Sequence, residues 1–433
     1  MPSPPLAARE VRDEFLHAWN GYKKFAWGAD EVKPVSGTSS NFFIDAHSFG
    51  LSIIEAMDTL YVMELDKELA LCVDWLRSNL SFDVDGEVQM FEANIRMVAG
   101  LLTGYYATNE KFLLNAARDL ADRLLVCFTK SPTGAPYRFA NLRTGAVRDP
   151  KNNLAEIESN ILEFGDLSRL TGDPKYLNVS MKAFEVVVAK GSALNCWGRI
   201  STSKRASLWT MRTSPPTNPS IRSTSICGAP GRCSGCKARD WYRMLTDAII
   251  KNKVVRVNGQ LWFRDCDNVT GAAIGTTVLT ELSSFYAELL AKGGNRAVGE
   301  AFYDSWTDVL NKYELIPEEI DRSDLSITSP VYGMRPEYPN SSFDLWFLTG
   351  KEKYRRTGYQ YFQALRKNCR VTNGYTTLKD IRTRPKTLGD HFPAYSFSEN
   401  FKYLYLMFAD APRFDSKNYY LNTEGKIMRG LRK

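Results

Sequence analysis

Histidine is scarce in this chain, with only His17, His47 and His391 among 433 residues. So small a supply leaves little room for a zinc hydrolase or a histidine-based triad. Long apolar runs are missing too. No stretch approaches the roughly 18 residues that a membrane span needs. The start, Met1-Pro2-Ser3-Pro4-Pro5-Leu6-Ala7-Ala8-Arg9-Glu10, lacks the apolar core of a signal peptide. The expectation is either a protein that is not exported or one whose targeting segment precedes this chain. A fourth zinc ligand is also missing. Cys227, Cys233 and Cys236 form a C-x5-C-x2-C cluster without a further ligand at a standard spacing, which argues against a zinc site. Acidic residues are sparse in one stretch: from Arg199 to Arg256, twelve Lys/Arg face only Asp240 and Asp247. The net charge of +7 is concentrated there, and the remainder is slightly acidic, as in most soluble enzymes. No nucleic-acid motif accompanies the basic run, so no nucleic-acid partner is expected.

What is present is ample material for a core. The hydrophobic fraction is 44% and the aromatic fraction 12%, well outside the range of disordered chains. Apolar residues recur at helical spacing in Gly50–Leu65, where Leu51, Ile54, Met57, Leu60 and Tyr61 mark an amphipathic helix. Phe91–Tyr106, Leu154–Leu170, Val278–Leu290 and Phe397–Phe408 read the same way, and Val254–Phe263 reads as strand. A turn signature recurs between helices: Ala107-Thr108-Asn109-Glu110-Lys111-Phe112, Leu170-Thr171-Gly172-Asp173-Pro174-Lys175-Tyr176 and Leu348-Thr349-Gly350-Lys351-Glu352-Lys353-Tyr354. In each, an Asn or Gly can take the left-handed conformation that ends a helix, and a polar residue or Pro opens the next. The spacing corresponds to a helical hairpin of about 60 residues, hence about seven copies, and predicts an all-α closed toroid. One stretch breaks the pattern. From about 196 to 240 the chain is rich in Ser, Arg, Thr, Pro and Cys, and it reads either as an insertion or as translation in a shifted frame. Glycosylation sequons stand at Asn79, Asn178, Asn268 and Asn340 and matter only in a secretory compartment.

Several carboxylates sit where a toroid would turn them toward its centre. Met90-Phe91-Glu92-Ala93-Asn94-Ile95-Arg96 places Glu92 and Arg96 one turn apart. Tyr332-Gly333-Met334-Arg335-Pro336-Glu337 puts an acid directly after a Pro suited to a helix start. Glu156 and Glu399 occupy comparable helical settings. Each has a plainer reading on its own: a surface ion pair for Glu92 and Arg96, an acid answering the helix dipole for Glu337. The interest is in the set, because glycoside hydrolysis needs two carboxyl groups across the scissile bond, about 6.5–9.5 Å apart when configuration is inverted.

The series Phe-Glu-x-x-Ile-Arg, Ala-Glu, Arg-Pro-Glu, a helix Glu before Lys-Tyr, then Asn-Thr-Glu resembles that of glycoside hydrolase family 47, the class I α-mannosidases. Phe15-Leu16-His17-Ala18-Trp19-Asn20-Gly21-Tyr22, Ala26-Trp27-Gly28, Asp30-Glu31-Val32-Lys33-Pro34 and Ile54-Glu55-Ala56-Met57-Asp58-Thr59-Leu60 extend the resemblance, which runs from about residue 11 to 430. It implies an (α/α)7 barrel, a single catalytic domain over 9–430, and calcium-dependent, inverting removal of α-1,2-linked mannose from high-mannose N-glycans or glycoproteins by a monomer. It also implies a secretory setting (endoplasmic reticulum or Golgi lumen, with its membranes) or secretion. By the same resemblance Glu92 is a catalytic acid and Glu337 the base that activates water. Arg96 and Arg335 orient sugar and carboxylates, Glu156, Glu399 and Glu424 line the mannose subsite, and Thr423 holds Ca²⁺ with its hydroxyl and backbone oxygen, alongside waters and sugar hydroxyls.

The chain departs from the family pattern at three places. Where the family has its third catalytic carboxylate, alignment on Trp241-Tyr242 puts Arg239, with Asp240 serving if the chain slips by one residue. Asn340 stands at a family Glu, and Glu281-Leu282-Ser283-Ser284-Phe285 replaces a His-Leu-x-Cys-Phe segment, so the common family disulfide is not expected. Two alternatives follow: an impaired relative that binds mannose-rich glycans without turnover, and a different, calcium-independent toroid glycosidase.

Overall fold

The computed structural model describes residues 1–189, 200–201, 236–267 and 269–432. Most of the stretch expected to be anomalous, and with it Cys227 and Cys233 of the cysteine cluster, lies outside these residues. The described chain is built of antiparallel helical pairs: α2 (Leu51–Val62) with α3 (Asp66–Asn79), α4 (Ala99–Thr108) with α5 (Lys111–Leu124), α6 (Ile161–Thr171) with α7 (Lys175–Ala189). After α8 (Cys236–Lys253) come α9 (Tyr286–Lys292) with α10 (Arg296–Tyr313), and α11 (Glu337–Thr349) with α12 (Glu352–Cys369). The last helix, α13 (Asn400–Phe408), pairs with the first, α1 (Pro4–Phe25). The three predicted turns end helices as expected, with Asn109 at φ 62°, Gly172 at 73° and Gly350 at 66°.

The ring closes through its inner helices. α9 packs on α11, α11 on α13, and the short helix Tyr395–Ser398 before α13 returns to α2. Phe15 of α1 lies edge-on to Phe397 and Phe401 at centroid distances of 5.5 and 5.9 Å, sealing the joint between the chain's two ends. This is an (α/α)7 barrel, with the strands confined to two- and three-stranded ribbons among the described residues. None of the described helices is long and apolar enough to cross a membrane.

Several expected helices differ in detail. α2 is buried on every face, Glu55 and Asp58 included, so its expected amphipathic character is lost inside the ring. Val278–Thr280 is a strand paired with Glu319–Asp321, and a 3₁₀ turn over Glu281–Phe285 precedes α9. The Phe91–Tyr106 helix contains a π segment over Ala93–Val98. The expected strand at 254–263 is a hairpin turned at Asn258 and Gly259, both at positive φ. The Asp30-Glu31 motif is architectural. Asp30 accepts hydrogen bonds from the backbone nitrogens of Phe42, Phe49 and Leu51 at 2.9–3.0 Å, fixing the start of α2. Glu31 accepts from His391 Nε2 at 2.7 Å and from the Ala394 nitrogen at 3.0 Å.

The barrel floor carries two lysines with no exposed surface. Lys402 Nζ lies 2.6 Å from Asp58 Oδ2. Lys426 pairs with Glu55 and also donates to the Glu55 carbonyl at 2.9 Å and to Ser398 Oγ at 2.7 Å. Burial lowers the Lys402 ammonium to about 8 despite the attraction of Asp58. Removing one member of such a pair strands the other, so Lys402→Met is expected to cost about 3–5 kcal/mol, and adding Asp58→Asn to recover part of it. Because an unfolded lysine holds its proton to higher pH, the unfolded state binds more protons above pH 8. Stability should therefore rise with pH from about 8 toward the ordinary lysine value. Urea unfolding of wild type and both variants across that window checks the cost and the slope, which Lys402→Met should flatten.

Candidate active site

The site forms where inner helices begin or are interrupted, since a side chain there can point along the ring axis. Glu92 ends the short helix Met90–Glu92 immediately before the π segment, which re-aims the turn that carries Arg96. Glu337 is the first residue of α11, after Pro336. Glu399 lies in the break between Tyr395–Ser398 and α13, at φ −119° and ψ −71°. Met334, just upstream of Glu337, holds a left-handed φ of 59°. That turn is pinned by three side chains: Tyr395 Oη donates to the Gly333 carbonyl at 2.5 Å, Asn400 Nδ2 to Met334 at 2.7 Å and Tyr361 Oη to Arg335 at 2.9 Å.

Arg96 is the hub of the site. Its Nε donates to Glu92 Oε2 at 2.7 Å, while Nη1 lies 2.7 Å from Glu424 Oε2 and 3.3 Å from Glu55 Oε1. The pair read from sequence is therefore largely buried, with Arg96 9% and Glu92 22% exposed in their side chains, and is no surface ion pair. The guanidinium also lies 5.1 Å from the Phe42 ring and 5.8 Å from that of Tyr395. Burial disfavours its charge, but three carboxylates more than offset this and hold its proton well above the usual arginine range. Glu55 is in turn held by Lys426, so a continuous charge chain runs from the floor to Glu92 and Glu424.

A cavity, part of it open to solvent, adjoins this chain. Its lining includes Glu337, Glu399 and Thr423. Thr423 is set by an Asx turn, with Asn422 Oδ1 accepting from the nitrogens of Glu424 and Lys426, both at 2.9 Å. Asn422 Nδ2 and Asn94 Nδ2 donate to Glu163 at 2.7 and 3.0 Å, and burial pushes that acid up to about 7. Burial, then the charges of Glu424 and Glu337, push Glu399 well above the usual carboxylate range, and Tyr403 Oη donates to it at 3.0 Å. Glu281, at the position where His was expected, is buried and likewise raised, by burial and then by Glu337 and Glu318.

The remaining predicted residues are Arg335, beside Glu337, and two that lie outside the cavity lining. Arg335 grips Glu318 with both prongs, at 3.1 and 2.7 Å. Glu156, at the start of its helix, is held by Arg138 at 2.7 and 2.9 Å and by Asn153 Nδ2 at 2.6 Å, and is not among the cavity-lining residues. Asp240 is exposed and likewise absent from the lining. Asn340 does line the cavity, where it donates to Asp344 Oδ2 at 3.1 Å, a position at odds with use of its sequon. Asn79 and Asn178 are exposed. Sequence reasoning missed Glu55, Glu163, Glu288, Lys292, Asp344 and Lys426. The local signals among them were the motif that contains Glu55, to which no role was given, and Glu288 and Lys292 at i, i+4.

Comparison with known proteins agrees with this architecture. The chain is 29% identical to mannosyl-oligosaccharide 1,2-alpha-mannosidase MNS1 of Arabidopsis thaliana, over 96% of this chain and 77% of that one. It is 28% identical to the Drosophila melanogaster mannosyl-oligosaccharide alpha-1,2-mannosidase IA, over 96% of this chain and 66% of that one. The solved alpha-1,2-mannosidase from Trichoderma reesei superposes with a TM-score of 0.87 at 22% identity, covering 100% of both chains. A cellobiose 2-epimerase from Spirochaeta thermophila DSM 6192 reaches 0.61 at 9% identity, covering 93% of this chain and 97% of that one. At these identities the two structures speak to the fold alone. The pattern of glycosyl hydrolase family 47 matches residues 14–430, and the chain belongs to that family.

Proposed function

We propose that this chain, as a single catalytic domain over 9–430, hydrolyses terminal α-1,2-linked mannose of high-mannose N-glycans with inversion and with Ca²⁺ at Thr423. The observation that carries the reading is the convergence of Glu337, Glu399 and Thr423 on one cavity beside the Arg96 hub. In this scheme Glu337 takes the proton of the attacking water and Glu92 supplies the acid function. Arg96 and Arg335 orient sugar and carboxylates, Glu399 and Glu424 belong to the sugar-binding wall, and Glu156, outside the cavity lining, would meet the glycan only beyond it. The setting is the secretory pathway or the cell exterior, and the working unit a monomer.

The donor chemistry fits calcium. Glu337 and Glu399 share the cavity wall with Thr423, so oxygen donors converge there, the kind that a hard divalent ion accepts. No group of three His, Cys, Asp or Glu side chains among the described residues is placed to hold a metal alone. In this reading the protein's share is the Thr423 hydroxyl and carbonyl, with water and sugar oxygens completing an all-oxygen shell. Bound there, calcium would fix sugar hydroxyls and favour a distorted ring.

A second reading, binding without turnover, is favoured by one observation: Asp240, assigned to the third carboxylate, is exposed and outside the cavity lining. The purified chain is expected to release β-mannose from a high-mannose glycan, seen by NMR before mutarotation, and to stop when calcium is chelated. Release of α-mannose would overturn inversion. Calcium-dependent glycan binding without any release would establish the second reading instead. Glu337→Gln is expected to lower kcat by about 10²–10⁴-fold with little change in KM. In the catalytic scheme Asp240→Asn lowers kcat at least about tenfold, and an unchanged kcat removes Asp240 from the machinery.

A further inference from the structure

One wall of the cavity carries charges that the proposed scheme does not use. Glu288 and Lys292 stand one turn apart on α9 and meet Asp344 of α11, and all three line the cavity with Glu337, Glu399 and Thr423. Lys292 Nζ lies 2.7 Å from Asp344 Oδ2 and 3.1 Å from Glu288 Oε2. Asp344 is fully buried and committed: Asn340 Nδ2 donates to Oδ2, and Tyr419 Oη donates to Oδ1. It is an anchor that fixes the ammonium. Lys292 keeps 30% of its side chain exposed. An ammonium has three protons, and the close approach to Asp344 occupies one of them. Glu288 is 8% exposed, and its Oε2 is within ion-pair distance of Lys292 but outside good hydrogen-bond geometry.

A fixed donor beside a carboxyl oxygen matches two adjacent hydroxyls of a pyranose, which present a donor and an acceptor at similar separation. The group is ill suited to an anion, since two carboxylates outnumber one ammonium. Resting on the reading that mannose enters this cavity, we infer that Lys292 and Glu288, with Asp344 as anchor, read a pair of neighbouring hydroxyls on a neutral sugar held there. Burial carries Glu288 up to about 7, with Lys292 pulling down and Asp344 pushing up.

The test uses the full chain and an α-1,2-mannobiose glycoside, together with analogues in which each hydroxyl of the terminal mannose is removed in turn. Binding is read by calorimetry and turnover by kcat/KM. One or two adjacent deoxygenations are expected to weaken wild type about 10–100-fold, the value of a hydrogen bond to a charged group. Glu288→Gln and Lys292→Met should lose a similar factor on the parent sugar and little more on those same analogues, whereas Lys292→Arg should retain part of the discrimination. An equal loss by the variants across the parent and every analogue would overturn the inference, because the pair would then act only through folding. Wild type tolerating every deoxygenation within about threefold would overturn it without any variant. A wild-type chain that binds no mannobiose overturns the proposed function and this inference together, whereas binding without discrimination overturns the inference alone.

Discussion

Mutual repulsion among carboxylates buried in one ring is the constraint around which this chain is organised. Glu55, Glu399 and Glu424 are at most 6% exposed, and Glu92 and Glu337 sit beside them. Two like charges 4 Å apart in a protein-like medium repel by about 4 kcal/mol. Such a set persists only if cations are built into the wall. Arg96 answers three acids at once, Lys426 answers Glu55 from below, and Lys402 answers Asp58. What remains unanswered is seen at Glu399, which is raised by burial and by its neighbours.

The ring that presents these acids is not specific to them. A cellobiose 2-epimerase shares the architecture at 9% identity, so the barrel by itself implies little chemistry. Function resides in which positions at the inner helix ends are acidic and which cations steady them. Two of those choices are visible at the departures noted in the sequence. Glu281 adds a buried acid near Glu337 where His was expected, and Asn340 turns to Asp344 where Glu was expected.

Much of this was legible because it is locally encoded. The i, i+4 spacing of Glu92 and Arg96, the Pro before Glu337 and the left-handed positions at Asn109, Gly172 and Gly350 all express one-turn geometry, and all reappear in the structure. The repeat length likewise anticipated the ring. What was not legible depends on distance along the chain. Lys426 and Glu55 are 371 positions apart, and Lys402 and Asp58 are 344 apart, so no periodicity connects them. Tertiary contact also overrode local pattern. Val278–Thr280 reads as helix by apolar spacing, yet it pairs with Glu319–Asp321 as a strand, and the π segment at Ala93–Val98 leaves no compositional mark. Glu288 and Lys292 stand one turn apart on α9, but it is α11 that brings Asp344 against them.

The joining of the chain's two ends has a consequence for biogenesis. α1 pairs with α13, Glu31 holds His391 and Ala394, and the acids of α2 receive their lysines from residues 402 and 426. Until residue 426 has left the ribosome, Glu55 has only Arg96 to answer it, and neither Thr423 nor Glu424 is in place. The nascent chain is therefore an incomplete circle, with its polar centre open to water and its longest-range contacts still to form. Such a topology makes folding a late and largely all-or-none event.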